Sequence, residues 1–433
     1  MPDGRLTRRV AGVLGARLPE LHLEEVPDPR HERGRKWSLA TMLRATTAGL
    51  MAGCQSLAEV EHLSDEMSLP MRRQLGIARR LPDTTLRDTL VCVDPQELRR
   101  PLQRQAKAAH RRKALEPFGL PFGVVAMDGK GTAATTWDDE YAQRQPHSVG
   151  LGASGIVRTM TCTLVSSRVK VCLDAIPIPA DTNEMGHFAA AFTSLWAVYG
   201  NCELFQLVSY DSGGASKANA DLVRHHGLHY LLRLDAQQPT LFREARRLLG
   251  GLPVSTAVTY TEDVTSTGTE RRYLFITEEM AGYYDWEHLR TVVRVHSVKR
   301  DRDGQLIPQK AHQQDRYYLC SLPRGRLTSE QWLYLIRQHW GVENGTHNLL
   351  DKFLAEDPHP FIEADPQGML NVMLLRRMGL NALALFRGVT LRDDDKRQTP
   401  WRDVIRWFYN TLIAATEHQL EGLRARSVLA PVA

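Results

Sequence analysis

The sequence predicts a mixed α/β fold in which a helical N-terminal domain precedes a mixed sheet flanked by helices. Three observations predict it. Helical periodicity and helix-start signals dominate residues 37–115. From Pro117, short runs rich in Val, Ile and Thr alternate with turn signals, as strands do. Helical spacing returns after residue 325.

Composition limits the class of protein. The chain has 433 residues, of which 42% are hydrophobic and 24% charged, which is typical of a soluble globular protein with two or three structural units. The net charge of +5 is compatible with a polyanionic partner but does not require one. The six cysteines form no CxxC motif, which favours reduced thiols. Neither a signal peptide nor an eighteen-residue apolar stretch is present, so we expect a cytoplasmic protein without membrane contact.

The N-terminal elements follow from helix-start signals. Residues 1–36 are charged, and we expect them to be flexible. Ser56 stands three residues before Glu59, which predicts a capping box. Further on, Asp94 and Pro95 predict an N-cap and a first helical residue. Residues 37–115 are therefore predicted to form a small helical domain.

The central part predicts a sheet with crossover helices. Residues 117–252 predict three strands, a helix, a strand, a helix and a strand, in that order. The first part of this order indicates a meander, and the second indicates parallel crossover units. Residues 253–325 predict a β-rich insertion, and 326–390 predict long helices. The last segment, 391–433, is predicted to be helical.

Three acids stand where chemistry is expected. Asp128 follows the apolar run VVAM, Asp211 follows QLVSY, and each precedes a glycine-bearing stretch. Ligands bind at such strand ends in α/β sheets. Glu343 lies on a predicted helix within RQHWGVENGTH. Packed carboxylates repel one another unless cations compensate, and two Mg²⁺ ions about 4 Å apart can serve phosphoryl transfer. The three acids predict that chemistry only if the fold brings them together.

Several blocks surround these acids in a fixed order. They are AMDGKG at 126–131, ADTNEMGHF at 180–188, YDSGGASKANADLVRHHGLHYLLRLDAQQPTL at 210–241, IRQHWGVENGTHNLLDKFLAED at 336–357, NVMLLRRMGLNALALFR at 371–387 and, before them, SLATMLRATTAGLMAGCQSLAEVEHLS and RRLPDTTLRDTL. Together they resemble DDE transposases of the bacterial insertion-sequence type, in the subgroup that includes the H-repeat-associated proteins. The resemblance extends from about residue 37 to residue 390.

The resemblance implies a fold and an activity. It implies a ribonuclease H-like mixed sheet, with the β-rich insertion placed before the last catalytic helix and with the N-terminal domain in contact with DNA. Asp128, Asp211 and Glu343 would be catalytic and would bind two Mg²⁺ ions, for which Mn²⁺ substitutes. The reaction would be cleavage of DNA at insertion-sequence ends, followed by transfer of the freed 3′-hydroxyl into target DNA.

The same resemblance implies partners and a location. The partners would be double-stranded DNA of the element's terminal repeats and of the target, and the protein would be a homodimer on DNA. It would lie in the bacterial cytoplasm, associated with the nucleoid. Two alternatives stay open. One is a metal-dependent nuclease on the same fold. The other is a domesticated or inactive transposase-derived protein that binds DNA without cutting it, since the SGG that follows Asp211 departs from the subgroup's pattern.

Residues near the acids have two interpretations each. His347 is four residues after Glu343 and therefore shares its helical face, so it supports the site, contacts phosphate or is a polar residue on a partly buried helix. For Trp340, packing is favoured over base stacking. Lys130 contacts a phosphate or is an exposed loop lysine. His339 and Asn344 flank the site and complete the candidate set.

A basic run ends the helical domain. Within RRPLQRQAKAAHRRK, five residues are candidate DNA contacts: Arg104, Lys107, Arg111, Arg112 and Lys113. A solvated basic face explains the run equally well. The RHHGLH segment suggests zinc, but Gly227 is predicted to end the helix there, so His225 and His229 would not share a face.

Overall fold

The computed structural model describes residues 4–137, 139–144, 155–310, 314–391, 394–421 and 423. The mixed α/β fold is confirmed: one ten-stranded sheet is flanked by helices, and a helical region precedes it.

The N-terminal region is helical from its start. Its helices are α1 (Gly4–Arg17), α2 (Leu39–Met51), α3 (Leu57–Glu66), α4 (Leu69–Leu75), α5 (Asp83–Leu90) and α6 (Pro95–Arg111). The expectation of a flexible N-terminus is therefore wrong for α1, because its apolar residues Val10 and Leu14 are fully buried.

Two predicted helix starts have different outcomes. Asp94 caps α6 as predicted, since its side chain accepts from the N–H of Gln96 and Pro95 follows it. Ser56 caps α3 by accepting from the N–H of Glu59. The reciprocal half of the capping box is absent between these two residues, because the Glu59 carboxylate accepts from the N–H of Gln55 instead.

The sheet begins with a meander. Its first strands are β1 (Val124–Ala134), β2 (Ala142–Arg144), β3 (Gly155–Leu164) and β4 (Val171–Ile178), and β3 pairs antiparallel with each of the other three. Two parallel strands follow on the other side of β1: β5 (Leu207–Tyr210) and β6 (His229–Leu234). They are connected through α7 (Glu184–Tyr199) and α8 (Lys217–His225). Apart from the short β2, this is the element order predicted from the sequence.

The β-rich insertion extends the same sheet. After α9 (Pro239–Leu249) come β7 (Thr259–Thr265), β8 (Gly268–Thr277), β9 (Thr291–Asp301) and β10 (Asp315–Cys320). β10 pairs antiparallel with β6, and β9, β8 and β7 continue outward from it. The insertion is therefore joined to the core by backbone hydrogen bonds.

The C-terminal part supplies the remaining helices. They are α10 (Ser329–His339), a π-helix here named π1 (Val342–His347), α11 (Asn348–Phe353), α12 (Pro366–Leu385), a second π-helix, π2 (Phe386–Thr390), α13 (Asp394–Arg397), α14 (Trp401–Ala414) and α15 (Glu417–Leu420). The segment Pro366–Thr390 is long and apolar enough to cross a membrane, but its most apolar eighteen-residue window is entirely buried within the protein. It is the central helix of the core shared by the N-terminal helices.

Both faces of the sheet are covered. On β1, Val125 and Met127 belong to the core under α7, whereas Val124 and Ala126 belong to the core under α10. This alternation is the period of a strand buried on both sides. The same alternation determines which face of the sheet each residue of β1 after Ala126 lies on.

Candidate active site

Asp128 lies inside a strand and not at its end. The sequence predicts that it ends the strand, but β1 continues to Ala134, and Asp128 pairs with Thr161 of β3. The predicted end of pairing exists on the β5 side of β1, because β1 pairs with β5 only as far as Ala126. Asp128 therefore lies just beyond the point where its parallel neighbour stops.

Asp211 occupies the predicted position. It follows the last residue of β5 directly, and its carboxylate Oδ1 accepts a hydrogen bond of 3.2 Å from Arg233 of β6. Because β1 and β5 are adjacent and parallel, the two aspartates lie at the same edge of the sheet.

Glu343 lies on a π-helix. The sequence predicts one regular helix here, but α10 ends at His339 and the wider turn π1 carries Glu343. Single π-helical turns are rare and occur often at functional sites. The Glu343 side chain is exposed, so its carboxylate can meet a ligand.

The electrostatics of Asp128 reveal a cluster of four acids. Burial raises the pKa of Asp128, and the negative charges of Glu184, Asp211 and Glu343 raise it further, to about 7. Asp211 and Glu343 are therefore both close enough to Asp128 to affect its charge. Glu184 is a fourth member that sequence reasoning missed.

Glu184 lies next to the strand that carries Asp128. It is the first residue of α7, and a β-carbon at Gly129 would overlap its Oε2 atom. Tyr210, the last residue of β5, donates a hydrogen bond of 3.0 Å to the backbone carbonyl of Glu184. The sequence signal was weak, because an acid in the first turn after the N-cap Asn183 is ordinary helix chemistry.

The four carboxylates have the chemistry of a magnesium site. Mg²⁺ prefers oxygen ligands, and a divalent cation relieves the repulsion that raises the pKa of Asp128. Within the described residues, however, no three His, Cys, Asp or Glu side chains lie close enough together to hold a metal ion. The carboxylate oxygens are therefore of the chemical type that Mg²⁺ prefers, but in this arrangement the side chains lie too far apart to bind one ion together.

His347 contacts the site from the end of π1. Its Nδ1 lies 3.4 Å from Oδ2 of Asp128. Burial, followed by the charges of Arg377 and Lys130, lowers the pKa of His347 to about 3, so the ring is neutral at physiological pH. Its Nε2 is buried and has no hydrogen-bond partner among the described residues.

Lys130 is buried and ion-paired. Its side chain is 6% exposed, and Nζ donates to Asp351 at 2.7 Å and to Asp357 at 3.0 Å. Thr132, two residues further along β1, donates to the same Asp357 oxygen. The alternative of an exposed loop lysine is therefore wrong, and the phosphate contact stays a prediction. Lys130 ties β1 to α11 and to the loop that follows it.

The residues just before Glu343 pack under the sheet edge. His339 is buried, its Nδ1 is hydrogen-bonded to Ser209 of β5, and burial lowers its pKa to about 4. The guanidinium groups of Arg233 and Arg316 lie 5.7 and 5.1 Å from the ring centroid of Trp340. Trp340 is thus held by packing and cation–π contacts beside Asp211. Asn344 is exposed on π1.

Residues 21–104 match the family model described as DDE_Tnp_1-associated. Domains of this kind are found in DDE-type transposases, so the match supports a transposase family. A search among curated proteins found no match.

The basic run begins inside the matched region and extends nine residues beyond it. Arg104 is ion-paired with Glu25, and Arg112 with Glu20 at 2.8 Å. Lys107 lies over the ring of Tyr199. Arg111 and Lys113 are the exposed members without an ion-pair partner among the described residues: Arg111 ends α6, and Lys113 follows in a left-handed backbone conformation.

The structure also places Arg99 of the basic run and the histidines of the RHHGLH segment. Arg99, in the same basic run, is buried in an ion pair with Asp174 at 2.7 Å and therefore connects α6 to β4. Gly227, with a φ of 75°, lies just after the end of α8, as predicted. His225 lies on α8 and His229 on β6, and no metal-binding group includes them among the described residues.

Proposed function

We propose that this protein is a DDE-type DNA transposase that cleaves insertion-sequence ends and transfers the 3′-hydroxyl into target DNA. The observation that carries the proposal is the placement of Asp128 and Asp211 at the same end of two adjacent parallel strands, where burial and the charges of Glu184, Asp211 and Glu343 raise the pKa of Asp128 to about 7. The family match at residues 21–104 supports the same class of protein.

The strand order supports a ribonuclease H-like core. β4, β3 and β1 form an antiparallel meander, and β5 and β6 extend it in parallel beyond β1. Asp128 on β1 and Asp211 directly after β5 lie next to each other at the same end of these two parallel strands. π1 then presents Glu343 to that edge after the β-rich insertion.

The chain's own residues have separate roles in this proposal. Asp128, Asp211 and Glu343 would hold two Mg²⁺ ions, with Glu184 as a further oxygen ligand, and Mn²⁺ would substitute. Bound ions of this kind activate the attacking oxygen and stabilise the leaving oxygen of a phosphodiester. Neutral His347 contacts Asp128 without adding a charge, and Arg233 holds the carboxylate of Asp211.

Partners and location follow from the proposed reaction. The substrates are double-stranded DNA of the element's terminal repeats and of the target. A homodimer holding both ends would act in the cytoplasm at the nucleoid. The exposed Arg111 and Lys113 are the members of the basic run best placed to contact phosphates.

The proposal is tested by Glu343→Gln with labelled donor duplexes taken from the DNA that flanks the coding sequence. We expect the variant to lose cleavage and joining and to keep its fold and its DNA affinity, because the side chain is exposed. Glu330→Gln, an exposed position near the start of α10, is the matched control and should keep activity.

Each other outcome is informative. Cleavage by Glu343→Gln at the wild-type rate removes this glutamate from the mechanism. Cleavage by the wild-type protein without joined products indicates a nuclease on the same fold. A wild-type protein that binds DNA but neither cuts it nor takes up Mg²⁺ in calorimetry indicates a transposase-derived DNA-binding protein.

A further inference from the structure

A cavity of about 310 Å³ lies beside π1, here called the Lys170 cavity. Its walls include Arg168, Lys170, Asn344, Arg387, Arg397 and Trp401. No Asp or Glu is among the described residues that line it. The cations Arg168, Lys170 and Arg387 around one concave space favour an anionic ligand.

Lys170 is the most informative of these cations. It is half-buried, and burial alone lowers its pKa, with no acid among the described residues acting against this effect. Its side chain packs against glycines on either side of Glu343. A β-carbon would lie 2.8 Å from Nζ at Gly341 and 3.4 Å from Cδ at Gly345. An ammonium group held in this way is stabilised by an incoming anion.

Two guanidinium groups are oriented around the same space. Arg387 donates from Nε to the carbonyl of Thr399 at 2.9 Å and lies 4.8 Å from the ring centroid of Trp401. Its two terminal nitrogens make no hydrogen bond with a described residue. Arg168 lies 4.3 Å above the ring of Phe118. Guanidinium groups whose planes are already fixed lose little entropy when they bind a phosphate.

We propose that the Lys170 cavity binds a phosphate group and that its occupant is a backbone phosphate of DNA. The choice of DNA rests on the proposed function, whereas the choice of phosphate rests on the cavity alone. Asn344 and Gly345 belong to both the cavity wall and the helical turn that carries Glu343. A phosphate bound there fixes the DNA strand relative to the carboxylate cluster.

The first arm of the test measures DNA affinity against salt. Fluorescence anisotropy of a labelled duplex of about 30 bp, in metal-free buffer, gives the slope of log K against log salt, whose magnitude decreases by about 0.9 for each phosphate that the protein no longer neutralises. Lys170→Gln and Arg387→Gln should each reduce the slope by about that amount, and Lys170→Arg should restore it. Lys299→Gln and Arg406→Gln, both exposed and outside the cavity, should leave it unchanged.

The second arm uses inorganic phosphate, with isothermal calorimetry as the readout. Binding to the wild-type protein that is abolished in Lys170→Gln, together with an unchanged salt slope, assigns the cavity to a free phosphate compound and supports the shared chemistry. If the slope is unchanged and phosphate does not bind, the inference is overturned. Thermal melts confirm that each variant folds, and Arg387→Gln tests the cavity independently of Lys170→Gln.

Failure of this inference is distinguishable from failure of the proposed function. No metal is present in either arm, so neither readout needs cleavage. A protein with the expected slopes that never cuts DNA would keep the phosphate site and refute the transposase. A protein that cuts and joins DNA, but whose variants leave the salt slope unchanged, would support the transposase and refute a DNA phosphate site in the cavity.

Discussion

Replacing Asp128 with Asn is expected to stabilise the protein at alkaline pH and to leave its stability nearly unchanged near pH 4. Burial and three neighbouring acids raise the pKa of Asp128 from 3.8 to about 7. Between these values the folded protein keeps a proton that the unfolded chain has released. The free energy of unfolding therefore falls as pH rises through this interval, and the full cost is present above pH 7.

The magnitude follows from the size of the pKa change. A rise of about 3 pH units corresponds to about 4 kcal/mol, at about 1.36 kcal/mol per unit. This is an upper bound, because the side chain is 29% exposed and solvent screens part of the repulsion. Asn has nearly the same shape and no charge, so the variant should avoid most of this cost at pH 8.

The assay is urea unfolding followed by the fluorescence of the eight tryptophans at several pH values between 4 and 8, with EDTA present. Subtracting the free energy of unfolding of the wild type from that of the variant at each pH cancels the contribution of the other titrating groups. Asp65→Asn, at an exposed position, is the control and should shift stability by less than about 0.5 kcal/mol at every pH. A gain that is the same at all pH values, or a loss at pH 8, would refute the electrostatic reasoning.

Three other predictions use the same unfolding assay. Gly129→Ala should displace the Glu184 carboxylate and thereby reduce the stability that Asp128→Asn gains at pH 8. If the changes in the free energy of unfolding caused by the two substitutions simply add, this prediction is contradicted. Glu356→Gln should cost about 3–5 kcal/mol, because it leaves Arg377 charged and buried, whereas replacing both residues with apolar ones should cost less. His347 has a lowered folded pKa of about 3, so it should destabilise the protein as pH falls below about 6.5, and His347→Gln should flatten that decline. An unchanged acid profile in this variant would show that the ring is not buried as a neutral base.

Local patterns predicted the parts of the fold that depend on local physics. The strand order, the cap at Asp94 and the position of Asp211 follow from side-chain periodicity and helix-start chemistry over a few residues. The prediction that the strand ends at Asp128 is wrong, because the glycines that follow this acid predict a turn, whereas β1 continues to Ala134. β3 instead keeps its pairing with β1 along the whole GKG stretch.

Long-range contacts set the limit of what the sequence predicted. The acids that pair with Lys130 lie 221 and 227 residues away in the chain, so no local pattern could distinguish a buried ion pair from an exposed lysine. Glu184 was missed for the same reason, since its role depends on the packing of α7 against Gly129. The joining of the insertion to the core through β10 and β6 is likewise a pairing between distant segments.

The four carboxylates differ in how firmly the fold holds them. Asp128 lies within β1, whose backbone pairs with β3 on both sides of the residue, so the sheet fixes its position. Glu184 and Glu343 are exposed and lie in the first turns of helical segments, where rotation about side-chain bonds moves a carboxylate without breaking the backbone. Mutual repulsion is therefore relieved mainly through the two glutamates. Under the proposed function, Glu184 and Glu343 would move toward a fixed Asp128 to hold the cations, through changes of side-chain rotamer that would leave the sheet undisturbed.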